Sequence, residues 1–461
     1  MNNDKKAQIF YHDIGDYLSR EEKLRILKEA KSFANLPLQT LQPNEHGDWI
    51  SQRNDVFDTF ITIGNKDDNK INSFFNPIYS RGLASARDAW CYNSSKFEIT
   101  KNLQDLIKYY NQQRILFFDK QKESPNLKLD DFLDFDTNKI TWNRGLKNDF
   151  SKNKAIIFDN NNIKLSLYRP FFKQNTYLSR EINDMIYLLP KIFPNSNTNN
   201  IVICLPGIGN TKDFGLTITN LIPDLGLISA CQAFPLYYYE ERQKQNANLF
   251  DEGGEKEYVR RDGISDFILE RAKKQYGKNV GKEDIFYYVY GFLHCPAYRE
   301  MFANDLKKML PRLPLVEEVR DFWKFSKAGR ELADLHIHYE SVSAYEGVSV
   351  KGAESGFYTV EKMRFPKKDQ KDTIIYNSKI SVANIPAEAY DYVVNGKSAI
   401  EWIMERYAVS THKESGIKND PNDWATEVGN PRYILDLLLS VIHLSVKTVE
   451  IVETLPKVRF E

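Results

Sequence analysis

Between Lys154 and Tyr239 the chain breaks into short β-branched and aromatic runs, KAIIF, IKLSLYRPFF, NTYL, NIVICLPGIG and LISACQAFPLYYYE, punctuated by Asn, Pro and Gly. Runs this short can pair as strands but cannot propagate as long helices. Beyond them the apolar period lengthens. Ile285, Tyr288, Val289 and Phe292 recur at helical spacing within Glu283–Leu293, and helices are also predicted over Ile264–Tyr276 and over Ala297–Met309, which stops at Pro311. Two closing helices carry Ile400, Ile403, Met404 and Tyr407, then Ile434, Leu437, Leu438 and Val441, each set on one face. Between these groups, Phe357–Met363 and Thr373–Asn377 alternate like two strands joined by the basic loop RFPKKDQK. Strands followed by helices place the chain in the mixed α/β (α+β) class.

The N-terminal part has its own signals. Ala7–Tyr11 reads as an edge strand with no preceding element to pair with, and an exposed edge of that kind invites pairing with another chain. Ser19 and Glu22 have capping-box spacing ahead of Leu24, Ile26 and Leu27. A helix is predicted over Thr100–Gln113, and Asp, Asn and Lys dominate Asn126–Lys154. That stretch reads as a boundary, dividing 1–150 from 151–461. A chain of 461 residues exceeds the roughly 250–300 at which one core stops growing, so more than one domain is expected.

The 63 basic and 63 acidic side chains cancel, so any polyanion must be met by local patches. Leu437–Val446, the longest apolar stretch, is too short for a membrane helix and Met1–Lys6 has no signal-peptide character; both point to the cytoplasm and to no membrane partner. Cys91, Cys204, Cys231 and Cys295 lie far apart and read as buried small hydrophobes.

Several fragments imitate catalytic motifs. Asn76-Pro77-Ile78-Tyr79 resembles the base-holding signature of adenine methyltransferases, but too little chain precedes it to build a methyl-donor site. Gly207 and Gly209 follow a strand, yet Lys212 stands where a dinucleotide loop needs its third glycine, so a tight turn is the better reading. His336 and His338 alternate as on a strand without further metal-ligand spacing and read as satisfied polar groups; acidic pairs such as Glu255 and Glu257 arise by chance in so charged a chain. No catalytic residue, cofactor site or metal site is assigned. What remains suits phosphates and base edges: Arg81 and Arg87 followed by Trp90 and Tyr92, Arg260 and Arg261 before a helix, and Lys362, Arg364, Lys367, Lys368 and Lys371 crowding one loop.

The ordered segments SRGLASARDAWCYN, LYRPFFKQNTY, LPGIGNTKDFG, CQAFPLYYYE, DIFYYVYGFLHCPAYREMFANDLKKMLPRLP, FWKFSKAGRELADLHIHYE, TIIYNSKI, GKSAIEWIMERYAV and IKNDPNDW resemble the C-terminal portion of the Type ISP restriction-modification enzymes, over nearly the whole chain. Those enzymes join a nuclease, an ATP-driven translocase, an adenine-N6 methyltransferase and a target-recognition domain. AQIFYHDIGDYLSREEKL is similar to the last strand and helix of the family's methyltransferase domain. The resemblance therefore implies a methyltransferase remnant to about residue 150 and a target-recognition domain with a β core and several helices after it. It also implies that the S-adenosylmethionine, ATP and Mg sites of the full-length family, and its base-holding motif, lie outside this chain, which makes Asn76–Tyr79 a coincidence. Gly82–Ala89 corresponds to the family's GxxTxRDA segment, with Ser85 where Thr is usual, and assigns Arg81, Ser85 and Arg87 to the DNA cleft. Arg169, Lys173 and Lys212, within the matching segments, join them as candidate DNA contacts.

The function implied is recognition of a double-stranded DNA site, placing an adenine for a methyltransferase supplied elsewhere, with a separately encoded methyltransferase and helicase half as a further partner. The alternatives are half of a split, active adenine-N6 methyltransferase and a protein-interaction fragment.

Overall fold

In the computed structural model, which describes residues 7–66, 71–195, 198–242 and 258–460, the short runs of the middle region pair into two four-stranded sheets. Met1–Lys6 and the Glu255–Glu257 pair lie outside the described residues. The chain divides into two units, Met1–Thr59 and Phe60–Glu461.

In the first unit Ile9–Tyr11 pairs antiparallel with Gln39–Leu41, so the strand expected to lack a partner finds one later in the chain. Helix Arg20–Ala30 starts at the foreseen box: Glu22 N donates to Ser19 Oγ at 3.2 Å and Ser19 N to the Glu22 carboxylate at 2.7 Å. Its apolar stripe is not covered, with Leu24 and Leu27 more than half exposed, and Phe57 is the unit's one buried side chain among the described residues.

In the second unit the first sheet runs Ile222–Pro223, Ile163–Arg169, Phe172–Tyr177, Tyr92–Asn93, parallel only at its first pair. The second runs Ser80–Arg81, Gln232–Pro235, Val202–Leu205, Thr217–Thr219, antiparallel throughout. Helices Lys282–Phe292 and Val319–Ile337 cross where Gly291 meets Gly329; a Cβ on Gly329 would stand 1.9 Å from Tyr287 O, and one on Gly291 2.1 Å from Phe325 O. The backbones touch there, which only glycine permits. Around this joint His336 accepts or donates at both ring nitrogens, to Tyr290 Oη at 2.6 Å and Thr448 Oγ1 at 3.0 Å. Burial depresses His336 to about 3 and also lowers His294 well below its ordinary value. The closing helix Tyr433–Glu453 buries 12 of its 21 side chains, and no described helix is long and apolar enough to cross a membrane.

Several expected elements differ. KAIIF is not a strand: Asn111 accepts from Ile156 N and donates to Ile156 O, while Tyr110 Oη donates to Lys154 O. Phe357–Met363 is not one either, because Asn377 donates to Phe357 O and Thr359 O and Asn422 brackets Val360. The sheet that forms instead joins Ser349–Lys351, Ser381–Ala383 and Thr373–Ile375, with a lone bridge from Arg364 to Ile375. His336 sits in a helix rather than on a strand, and His338 caps it, 2.8 Å from Asp334. The helix expected over Ala297–Met309 breaks at Phe302, and that over Thr100–Gln113 extends to Lys96–Glu123. Residue 150 lies within the second unit, and the core there draws on Leu103, Ile107 and Phe150 as well as Leu167 and Phe172, so packing is continuous across it.

Candidate nucleic-acid interface

The segment from Ser80 to Asn93 is threaded against the turn at Asp224. Gly82 lies so close that a Cβ would stand 2.4 Å from Asp224 O, and Leu83 N donates to Pro223 O at 2.8 Å. Ala86 adopts φ +54°, a left-handed turn that carries the chain into the short helix Asp88–Cys91. That path turns most of the predicted side chains inward. Ser85, Arg87, Trp90 and Tyr92 are all at most 5% exposed, whereas Arg81 stays exposed with its guanidinium 6.0 Å from the Tyr187 ring. Burial pulls the Arg87 guanidinium below its ordinary pKa, and none of its three nitrogens has a hydrogen-bond partner among the described residues. As direct phosphate or base contacts these four buried residues are misplaced in this conformation.

Beneath the segment lies a polar network. Ser85 Oγ donates to Asp88 Oδ1, Tyr168 Oη to Asp88 Oδ2 at 2.8 Å, and Tyr92 Oη to Asp224 Oδ2 at 2.8 Å. Arg169 ties the two acids together, 2.5 Å from Asp224 and 3.7 Å from Asp88, with its guanidinium stacked 3.8 Å from the Tyr168 ring. Burial pushes the Asp224 carboxyl up to about 6, against the opposing pull of Arg169. Arg169 is thus committed inside the protein. Lys173 is too, at 2.6 Å from Glu340.

The other predicted cations face outward. Lys212 is exposed, its ammonium 3.1 Å from Asn395 O. Arg260 and Arg261 sit on the strand Tyr258–Asp262, which pairs with Tyr237–Glu241; Arg260 lies 4.3 Å from the Tyr237 ring and Arg261 3.0 Å from Glu240. Lys362, Arg364, Lys367 and Lys368 are all exposed on the loop that leads into Thr373–Ile375, while Lys371 pairs with Glu401 at 3.0 Å.

A cleft of about 430 Å³ opens between the first sheet and residues 405–419, lined in part by Tyr168, Phe172, Gln174, Arg406, His412 and Lys413. Tyr92, one of the predicted residues, lines it as well; the six named here are not among the predicted ones. The alternation Phe172, Gln174, Thr176 was the available signal, since strand geometry puts all three on one face.

A family model described as the Type ISP C-terminal specificity domain matches residues 73–437. Three solved structures are similar over nearly the whole chain. A nuclease-deletion mutant of the Type ISP enzyme LlaGI in complex with a DNA substrate mimic is 37% identical, with TM-score 0.84. The ATP-dependent Type ISP enzyme LlaBIII bound to DNA is 36% identical, with TM-score 0.86, and the DrdV–DNA complex is 28% identical, with TM-score 0.80. They cover 98%, 99% and 97% of this chain, which in turn spans 39%, 28% and 43% of theirs. No curated protein matches the sequence. The family match over most of the chain and the extended identity to two Type ISP enzymes agree, and this chain belongs to the Type ISP restriction-modification family, as its C-terminal specificity region.

Proposed function

We propose that this chain binds duplex DNA as the target-recognition part of a Type ISP enzyme and positions an adenine for a methyltransferase active site supplied elsewhere. The observation that carries the reading is the similarity of its whole fold to three proteins whose structures hold DNA. The exposed cations support it: Lys362, Arg364, Lys367 and Lys368 on one loop, with Arg81, Lys212, Arg260 and Arg261 elsewhere on the second unit, supply phosphate contacts. In the same reading the methyl donor, ATP and Mg are held by other parts of the enzyme.

Fluorescence anisotropy of the purified chain on labelled duplexes at several salt concentrations tests this. Phosphate neutralisation makes log K fall with log salt at a slope of about −0.9 per contact. A salt-independent affinity, or none at low salt, sinks the proposal.

The first unit favours a second partner. The exposed Phe10, Leu24, Leu27 and Phe33 form an apolar surface that the unit does not cover itself, which suits docking to a separately encoded methyltransferase and helicase half. Co-expression with such a half and size-exclusion chromatography, with and without Leu24→Asp/Leu27→Asp, tests the docking; co-elution indifferent to the double variant removes the surface from the proposal.

A further inference from the structure

We propose that Lys66 and Arg81 form a two-cation clamp on a single phosphate group. The clamp rests on the DNA-binding reading for its natural source, one phosphodiester of the duplex backbone, and free phosphate is the other source of the same chemistry. Lys66 was not among the residues expected to meet DNA.

Both cations are placed beside aromatic rings. The Tyr79 ring is buried and stacked on Phe234 at 4.5 Å, and a Cβ on Gly64 would stand 2.8 Å from each of those rings, so the chain leading to Lys66 runs hard against them. The Lys66 ammonium then lies 4.3 Å from the centre of the Tyr79 ring. Arg81 follows two residues after Tyr79, on a strand tied down by the bond from Leu188 N to Ser80 Oγ at 3.0 Å, and its guanidinium lies 6.0 Å from the Tyr187 ring. A cation over a ring face is held without losing its charge.

The pair is also unneutralised. Elsewhere on this unit the exposed Arg261 and Lys371 are met by carboxylates, Glu240 at 3.0 Å and Glu401 at 3.0 Å. Lys66 and Arg81 are exposed and make no ion pair among the described residues. Partial burial, and then the nearby Arg81, pull the Lys66 ammonium below its ordinary pKa, and no carboxylate opposes them. Two like charges held within reach of each other repel, and a shared anion is the partner that relieves the repulsion. The donors suit one phosphate. The planar guanidinium offers parallel N–H groups to two of its oxygens, and the ammonium adds a compact charge from another side.

The test follows the full chain on one labelled duplex by anisotropy across salt concentrations, for the parent, Lys66→Met, Arg81→Met and the double variant. Methionine keeps an apolar stem beside each ring, and melting temperatures establish that each variant is folded. With one shared phosphate, either single variant weakens binding up to about fivefold and leaves the salt slope nearly in place, because the remaining cation still neutralises that phosphate. The double variant makes the slope shallower by about 0.9, the value of one contact. Lys66→Arg, which keeps the charge, binds like the parent. A double variant shallower by two contacts, or one with slope and affinity unchanged, overturns the clamp. Melting temperatures in sodium phosphate against sodium chloride at equal ionic strength separate the sources. Stabilisation by phosphate that the double variant lacks extends the clamp to the free ion, and its absence beside a one-contact slope confines the clamp to the duplex. If no duplex binds, the DNA reading fails, and the phosphate comparison alone decides the clamp, which falls if parent and double variant melt alike.

Discussion

Two arginine- and lysine-bearing stretches look alike in the sequence and end in opposite environments. SRGLASARDAWCYN turns largely inward after Arg81, with Arg87 buried and the nearby Arg169 locked to Asp224, whereas the loop RFPKKDQK holds Arg364, Lys367 and Lys368 in solvent. The difference lies in the neighbours. In the first stretch Gly82, Leu83 and Ala84 commit the backbone to the Asp224 turn and to Met185, and Ser85, Arg87, Trp90 and Tyr92 after them turn in. In the second, Phe365 packs against the core and a bridge joins Arg364 to Ile375, while the cations beside them stay in solvent. A cation in a tightly paired segment builds the scaffold, and one in a loosely tethered segment is available to a partner.

The sharpest way to break that contrast is Arg169→Met. It leaves the Asp224 carboxyl buried without its cation, and removing one partner of a buried pair costs about 3–5 kcal/mol. Chemical denaturation should show the loss; a variant as stable as the parent would mean Arg169 is not scaffold.

Acid comes next. His336 and His294 are depressed by burial, so below about pH 6.5 the unfolded chain binds protons that the folded chain refuses, and stability falls as pH falls. One pH unit below that point the loss is about 1.4 kcal/mol for each histidine. Thermal melts from pH 8 to pH 5 should steepen on the acid side, and His336→Asn should flatten that slope. An unchanged profile would remove His336 as its cause.

The loop should behave in the opposite way. Arg364→Ala/Lys367→Ala/Lys368→Ala is expected to leave stability within about 0.5 kcal/mol per substitution, while the salt slope of DNA binding becomes shallower by up to about 3 units. The smallest effect is reserved for Arg87→Met, which should leave that slope where it was. A slope shallower by about one unit would show that Arg87 leaves its buried site to meet a phosphate.

Much of the architecture was legible because local signals agreed with tertiary ones. The Ser19–Glu22 box, the helical spacing at Ile285–Phe292 and the β-branched and aromatic runs within Ile163–Tyr177 each found the element they announce. The two missing strands share one cause. At Lys154–Phe158 and Phe357–Met363 side chains of Asn111, Asn377 and Asn422, with Tyr110, satisfy the backbone groups that a neighbouring strand would have taken, and residues 18 to 62 positions away leave no trace in a short window. At His336 and His338 the reason is the opposite: the five residues LHIHY alternate, yet most of them belong to a helix of 19. For the site, the exposed loop could be read from charge alone. The inward turn of Arg87 could not, because it follows from close approach to Asp224, more than a hundred positions later.

The glycine crossing at Gly291 and Gly329 has a bearing on how such a protein can change its target. Two backbones in direct contact can neither slide nor rotate to accommodate a new side chain, so drift at that joint is closed off. Change in the surface chemistry is therefore left to the connections, and the two helices stay in place as a fixed mount.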